Sequence, residues 1–138
     1  MKILIVNGPN LNLLGQRDVQ IYGSKSFDDY FLELKNLFPS VEFTYFQSNV
    51  EGEIINSLQQ STADGIILNA GGYTHTSVSI RDCVDAIKIP VIEVHLSNIS
   101  ARESFRHESL ITPVCIGSIM GFGLKSYELA LHYFVLKK

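Results

Sequence analysis

Glu93 and His95 stand two residues apart in the apolar run Val91-Ile92-Glu93-Val94-His95. On a strand this spacing puts both side chains on one face, where a carboxylate can orient an imidazole and raise its basicity. With His75 as a third group the pair could also ligate a metal, but no HExxH-like or CxxC-like spacing supports that, and no metal is expected. Ser97, Asn98, Arg102 and Arg106 follow closely. Two other apolar runs also end in polar clusters. Residues 3–6 lead to Asn7 and Asn10, then to a loop with Arg17 and Tyr22. Residues 66–68 lead to Asn69, Gly71, Gly72 and His75. Gathered in one crevice, these groups suit proton transfer on a polar, anionic, oxygen-rich small molecule.

Taken singly, each group has a plainer role. A strand-end Asn commonly satisfies loop backbone groups, Gly71-Gly72 makes a tight turn, and a loop Arg is usually solvated. Tyr22-Gly23 could anchor its loop on the core, and a lone strand-end His is often held by structural partners. The chemical reading therefore rests on convergence.

Convergence depends on the elements between these clusters. Short apolar runs alternate with helical patterns along the chain. Strands are expected at 3–6, 41–46, 66–68, 91–95 and 113–116. Ser26 is a candidate N-cap for a helix with apolar residues at Phe27, Tyr30, Phe31, Leu34, Leu37 and Phe38, which Pro39 stops. Ser48-Asn49-Val50-Glu51 has the form of a capping box before Ile54, Ile55 and Leu58. Ile80, Cys83, Val84 and Ile87 mark another helix, residues 100–103 suggest a short one to about 107, and Leu124, Tyr127, Leu131, Phe134 and Val135 mark the last. The Gly-rich stretch 117–126 matches neither GxxxxGK[ST] nor GxGxxG and reads as a turn into that helix.

Five such strands, mostly apolar on both faces, predict an α/β fold: a three-layer sandwich around a five-stranded parallel sheet. At this size the commonest strand order is the flavodoxin-like 2-1-3-4-5, which places ligands beyond the carboxyl ends of the strands. The polar clusters lie at those ends.

Composition narrows the function further. The 138 residues suit a single domain, 1–138, and a net charge of −3 gives no electrostatic basis for binding nucleic acid. No apolar run approaches a membrane span and no secretory leader is visible, so a cytoplasmic protein without membrane attachment is expected. Cys83 and Cys115 lack metal-type spacing and read as buried thiols.

The sequence resembles the type II 3-dehydroquinate dehydratases along essentially its whole length. The resemblance is carried by Asn7-Gly8-Pro9-Asn10-Leu11-Asn12-Leu13-Leu14-Gly15 with Arg17 and Tyr22-Gly23, a highly specific block. It continues in Gln47-Ser48-Asn49 with Glu51-Gly52, in residues 69–77, in Glu93-Val94-His95-Leu96-Ser97-Asn98, in Arg102-Glu103 and Phe105-Arg106, and in the closing Gly-x-Gly-x-x-x-Tyr-x-Leu-Ala-Leu. It implies the flavodoxin-like fold, a place in the shikimate pathway of aromatic amino-acid biosynthesis, and anti elimination of water from 3-dehydroquinate through an enolate, without metal or organic cofactor. By this resemblance Tyr22 is the base, activated by the Arg17 cation, and His95 is the general acid, oriented by Glu93. Asn10 positions a water against the enolate oxygen. Asn69, the Leu96 and Ser97 amides and the Ser97 side chain bind the substrate carboxylate, while His75 and Arg106 meet ring hydroxyls. Asp82 serves a neighbouring subunit, within a dodecamer of four trimers.

Two departures from the family pattern stand out. Asp18-Val19 replaces a common Glu-Pro in the expected lid, residues about 10–24, and should loosen it. Val50 replaces a common His, with no catalytic effect expected. Two rival readings differ in class: a flavodoxin-like binding or signalling module, which leaves Arg17, Tyr22 and His95 unused, and a lysine-imine mechanism, for which no lysine looks buried.

Overall fold

Strands that are apolar on both faces need two covering layers, and β1 (Lys2–Asn7) and β3 (Gly65–Asn69) are buried in this way. The computed structural model describes residues 1–16 and 19–137, apart from the side chains of Ile21 and Tyr22. With β2 (Glu42–Gln47), β4 (Val91–His95) and β5 (Gly117–Met120), these strands form one sheet of order β2-β1-β3-β4-β5. Every pairing is parallel. This is the flavodoxin-like order expected from the alternation of strands and helices.

Strand periodicity divides the core into two layers. Ile3, Ile5, Ile67, Ile92 and Val94 pack against α2 (Phe27–Leu37) and α5 (Lys125–Leu136), through Phe27, Tyr30, Leu34, Tyr127, Leu131 and Phe134. Their neighbours Leu4, Val6, Ile66, Leu68 and Val91 face α3 (Glu51–Gln60) and α4 (Val78–Ala86), through Ile54, Leu58, Ile80 and Val84. A single short turn, α1 (Val19–Tyr22), precedes α2. Among the described residues, no helix is long and apolar enough to cross a membrane.

Ser26 caps α2 as expected, its hydroxyl accepting the Asp29 N–H at 3.2 Å. Three local expectations need correction. The fifth strand is Gly117–Met120, paired with Ile92–His95, and not residues 113–116. Pro113 has no N–H for a ladder, and it sits instead in a 3₁₀ turn, Thr112–Val114. The glycine of the supposed turn is thus an edge-strand residue, where a Cβ would meet nothing. The short helix expected to reach about 107 is two 3₁₀ turns, Ile99–Ala101 and Ser104–Arg106, because Asn98 captures the Ser100 N–H as N-cap of the first. At α3 the capping box is displaced. The Ser48 hydroxyl accepts from Val50 N–H and donates to Glu53 rather than pairing with Glu51, and Val50 takes the N-cap position.

Candidate active site

The carboxyl ends of β1, β3 and β4 open on a cavity of about 140 Å³, lined by Asn10, Asn69, Gly71, Gly72, His75, His95, Leu96, Ser97, Arg102 and Arg106, with Leu11, Leu14 and Ile99 as an apolar wall. Most residues expected to do chemistry therefore converge. Arg17 lies outside the described residues. Tyr22 ends α1, but its side chain is outside the description as well. Asp82 does not line this cavity; it sits exposed on α4, 3.2 Å from Arg81.

The entrance loop is shaped by two close approaches. Gly8 donates its N–H to the Asn69 carbonyl at 2.7 Å, and a Cβ there would lie 2.5 Å from the Ala70 carbonyl oxygen. Asn10 follows in the left-handed region, with φ 69°, a conformation that Asn tolerates better than most residues. The second family-like block explains itself here. Asn49 Oδ1 accepts the Asn10 backbone N–H at 3.0 Å and Gln47 Nε2 at 3.2 Å, while Gln47 Nε2 also reaches the Gly8 carbonyl. Residues 47–49 thereby hold Asn10 at the cavity rim.

Beneath the cavity, His95 Nε2 lies 2.9 Å from Glu93 Oε1. Glu93 is fully buried and His95 is 6% exposed. Thr74 donates to Glu93 Oε1 at 2.6 Å, Ser109 to the two oxygens at 2.8 and 3.1 Å, and Thr112 to Oε2. Burial alone would raise the Glu93 carboxyl pKa. The bond and charge of His95 and the hydroxyls of Thr112 and Thr74 together overcome it and hold the carboxyl below its ordinary range. An ionised carboxylate only accepts, so His95 Nε2 carries the hydrogen between them. Thr74 Oγ1, 3.4 Å from that nitrogen, already gives its hydrogen to Glu93 and leaves the assignment intact. Nδ1 is then the nitrogen open to further exchange. Nearby, burial and then the Glu93 charge push the Cys115 thiol up to about 12.

His75 is oriented by the opposite nitrogen. Its Nδ1 meets the Glu108 carbonyl at 2.7 Å, so Nδ1 carries the hydrogen and Nε2 is left as an acceptor. Arg106 pairs with Glu103 and stacks over the Phe105 ring, 4.6 Å from its centroid. The cavity thus offers a supported acid–base imidazole, a second imidazole, guanidinium groups and amides around an oxygen-rich guest. The partners of Glu93 (Thr74, Ser109 and Thr112) were not anticipated from the sequence. Loop hydroxyls are generic, and only the fold gathers these three.

Comparison with known proteins agrees with this geometry. A family model described as dehydroquinase class II matches residues 1–135. A 3-dehydroquinate dehydratase of an Exiguobacterium species is 55% identical over 134 residues, spanning 96% of this chain and 92% of its own. One from Fusobacterium nucleatum is 52% identical over 143 residues, spanning 98% and 97%. The crystal structure of a type II dehydroquinase from Butyrivibrio crossotus superposes with a TM-score of 0.93 at 45% identity, covering 96% of each chain.

Proposed function

The chain belongs to the class II dehydroquinase family, and from that premise we propose how its strand-end cavity works. Its activity is that of a type II 3-dehydroquinate dehydratase, a hydro-lyase that converts 3-dehydroquinate to 3-dehydroshikimate and water within the shikimate pathway.

In our reading, the Tyr22 phenolate removes a proton from the carbon beside the ketone, leaving an enolate. A phenol has an ordinary pKa of about 10, and the Arg17 cation favours its charged form. A water held by Asn10 donates to the enolate oxygen, an oxyanion hole with a bridging donor. As the enolate collapses to the conjugated enone, the departing hydroxyl takes a proton from His95 Nδ1 and leaves as water. Glu93 keeps the imidazole oriented and compensates its charge while it holds two protons. Asn69, Ser97 and the Leu96 and Ser97 amides take the substrate carboxylate, and His75 and Arg106 take ring hydroxyls. Residues about 10–24 act as the lid over a single domain.

The observation that carries this reading is the buried Glu93–His95 pair, saturated by hydroxyls, under a cavity rimmed with amides and guanidinium groups. A lysine imine has less support, because every described lysine is exposed and none lines the cavity. We further propose a cytoplasmic dodecamer of four trimers in which Asp82 completes a neighbour's cavity. The exposure of its side chain on α4 favours that role.

The test is to add 3-dehydroquinate and follow the enone absorbance for wild type, Tyr22→Phe and His95→Ala. Wild type should turn over, and each variant should lose about two to four powers of ten, the scale of general acid–base catalysis. Equal rates would remove the substituted residue from the mechanism, and inactivation by borohydride with substrate would replace the phenolate by an imine. Light scattering across a concentration series checks the assembly; a monomer would leave Asp82 without its role.

A further inference from the structure

Asn7 and Asn69 are register partners at the carboxyl ends of β1 and β3, and both point to the α5 side of the sheet. Between them stands Tyr127 of α5, fully buried, its ring centroid 5.0 Å from that of Phe27. The hydrogen bonds around this phenol have only one consistent direction. The Gly71 N–H, 3.1 Å from Asn69, can only donate, so the atom it meets is Oδ1. Asn69 Nδ2 therefore faces Tyr127 and donates to its oxygen at 3.0 Å. The phenol spends its single hydrogen on Asn7 Oδ1 at 2.7 Å, and Asn7 Nδ2 points on to the Tyr45 hydroxyl at 3.4 Å. Burial raises the Tyr127 pKa far above its ordinary value, and that of Tyr45 also lies above it, so at neutral pH both remain phenols able to donate and accept.

We propose that Tyr127 is a positioning residue for substrate binding, fixing the Asn69 amide so that it offers the cavity an N–H and never a carbonyl. The amide oxygen is occupied by Gly71 and one N–H by Tyr127, and Asn69 lines the cavity. Its second N–H is what remains for a guest, and a donor in that place favours an anionic group over a hydroxyl hydrogen or a cation. Without the phenol hydroxyl, the amide would lose one of the two partners that set its orientation. This inference rests on the reading that Asn69 binds the substrate carboxylate.

The test is a double-mutant cycle on turnover of 3-dehydroquinate with Tyr127→Phe, Asn69→Ala and both together. Tyr127→Phe should raise KM about five- to tenfold, the scale of one buried hydrogen bond, and change kcat by less than about threefold. In the Asn69→Ala background the same substitution should move KM by less than about twofold. An equal KM effect in both backgrounds would reduce Tyr127 to a structural role and overturn the proposal, as would an unchanged KM in the single variant. If Tyr127→Phe does not fold, Asn7→Ala takes its place in the cycle. It removes the acceptor of the phenol hydrogen and should raise KM through Asn69 in the same way, and additivity there would overturn the proposal. Wild-type turnover separates the two levels: without it the functional reading fails, whereas with it additivity strikes only the role of Tyr127.

Discussion

Glu93 and His95 meet at 2.9 Å on one face of β4, and among the described residues the other hydrogen bonds to the Glu93 carboxylate come from the hydroxyls of Thr74, Ser109 and Thr112. A carboxylate stripped of water is kept ionised by such donors at fixed positions, and each is worth about 1.5–3 kcal/mol when its acceptor is charged. The consequence is a measurable dependence of folding on pH.

The Glu93 pKa is lower in the folded chain than its ordinary value of 4.5. Such a group adds stability above the unfolded pKa, and that stability is lost as pH falls through the folded one. Thr112→Val removes one donor and raises the folded pKa toward its unfolded value. We expect about 1.5–3 kcal/mol less stability at pH 7 and a deficit that shrinks as the pH falls through the folded pKa and the carboxyl takes up its proton. Urea denaturation across that range reads the difference, and a deficit independent of pH would show that the hydroxyl acts on something other than the charged carboxylate.

Gly8→Ala would put a Cβ 2.5 Å from the Ala70 oxygen and 2.7 Å from its carbonyl carbon. Backbone cannot swing aside as a side chain can, so the ends of β1 and β3 must separate. A loss of about 1–3 kcal/mol is expected, as for other overpacked sites, together with a higher KM because Asn10 and Asn69 move apart. Gly52→Ala in α3 is the control of opposite sign. Nothing lies within 4 Å of the added carbon, and Ala in a helix should gain about 0.5–1 kcal/mol over Gly. Similar shifts of the urea midpoint for both would deny the close approach its importance.

What the sequence made legible follows the physics of each signal. Buried parallel strands write themselves as apolar runs, so β1, β3 and β4 are legible directly, and the commonest order for five such strands then gives the sheet and the cavity at their carboxyl ends. Gly117-Ser118 carries no such run, because an edge strand needs little apolar cover, and the apolar residues at 113–116 point to a strand four residues before β5. Glu93 and His95 were legible through strand periodicity alone. Thr74, Ser109 and Thr112 were not, since Thr74 follows β3 whereas Ser109 and Thr112 lie in the connection between β4 and β5, and they meet at Glu93 only in three dimensions. Tyr127 was legible as part of an apolar stripe, whereas the use of its hydroxyl depends on the register that sets Asn7 beside Asn69.

Ser26→Ala tests a local feature remote from the chemistry. The Ser26 hydroxyl accepts the Asp29 N–H at the start of α2, and Asp28 and Asp29 add favourable charge in the first turn. Losing the cap should cost about 1 kcal/mol and lower Tm by roughly 3–5 °C in a chain of this size. Calorimetry measures it; an unchanged Tm would mean that the acidic first turn suffices.

Val19→Pro examines the loop where the chain departs from its family's pattern. Val19 is the first residue of α1, where the fixed φ of proline is already helical and a missing N–H costs no intrahelical bond. Its carbonyl still accepts the Gly23 N–H, at 2.8 Å, and a proline there would retain that carbonyl. Proline removes conformational freedom from the open and unfolded chain, worth about 0.4–1 kcal/mol at a compatible site. If residues 10–24 close over the substrate, part of that entropy is spent at each binding event, and the substitution should lower KM about two- to fivefold with kcat nearly constant. Steady-state kinetics on 3-dehydroquinate, alongside Tm, separates the possibilities. A raised Tm with unchanged KM would confine the effect to folding and deny the loop an ordering cost on binding, whereas a raised KM would mean that closure needs the freedom proline takes away.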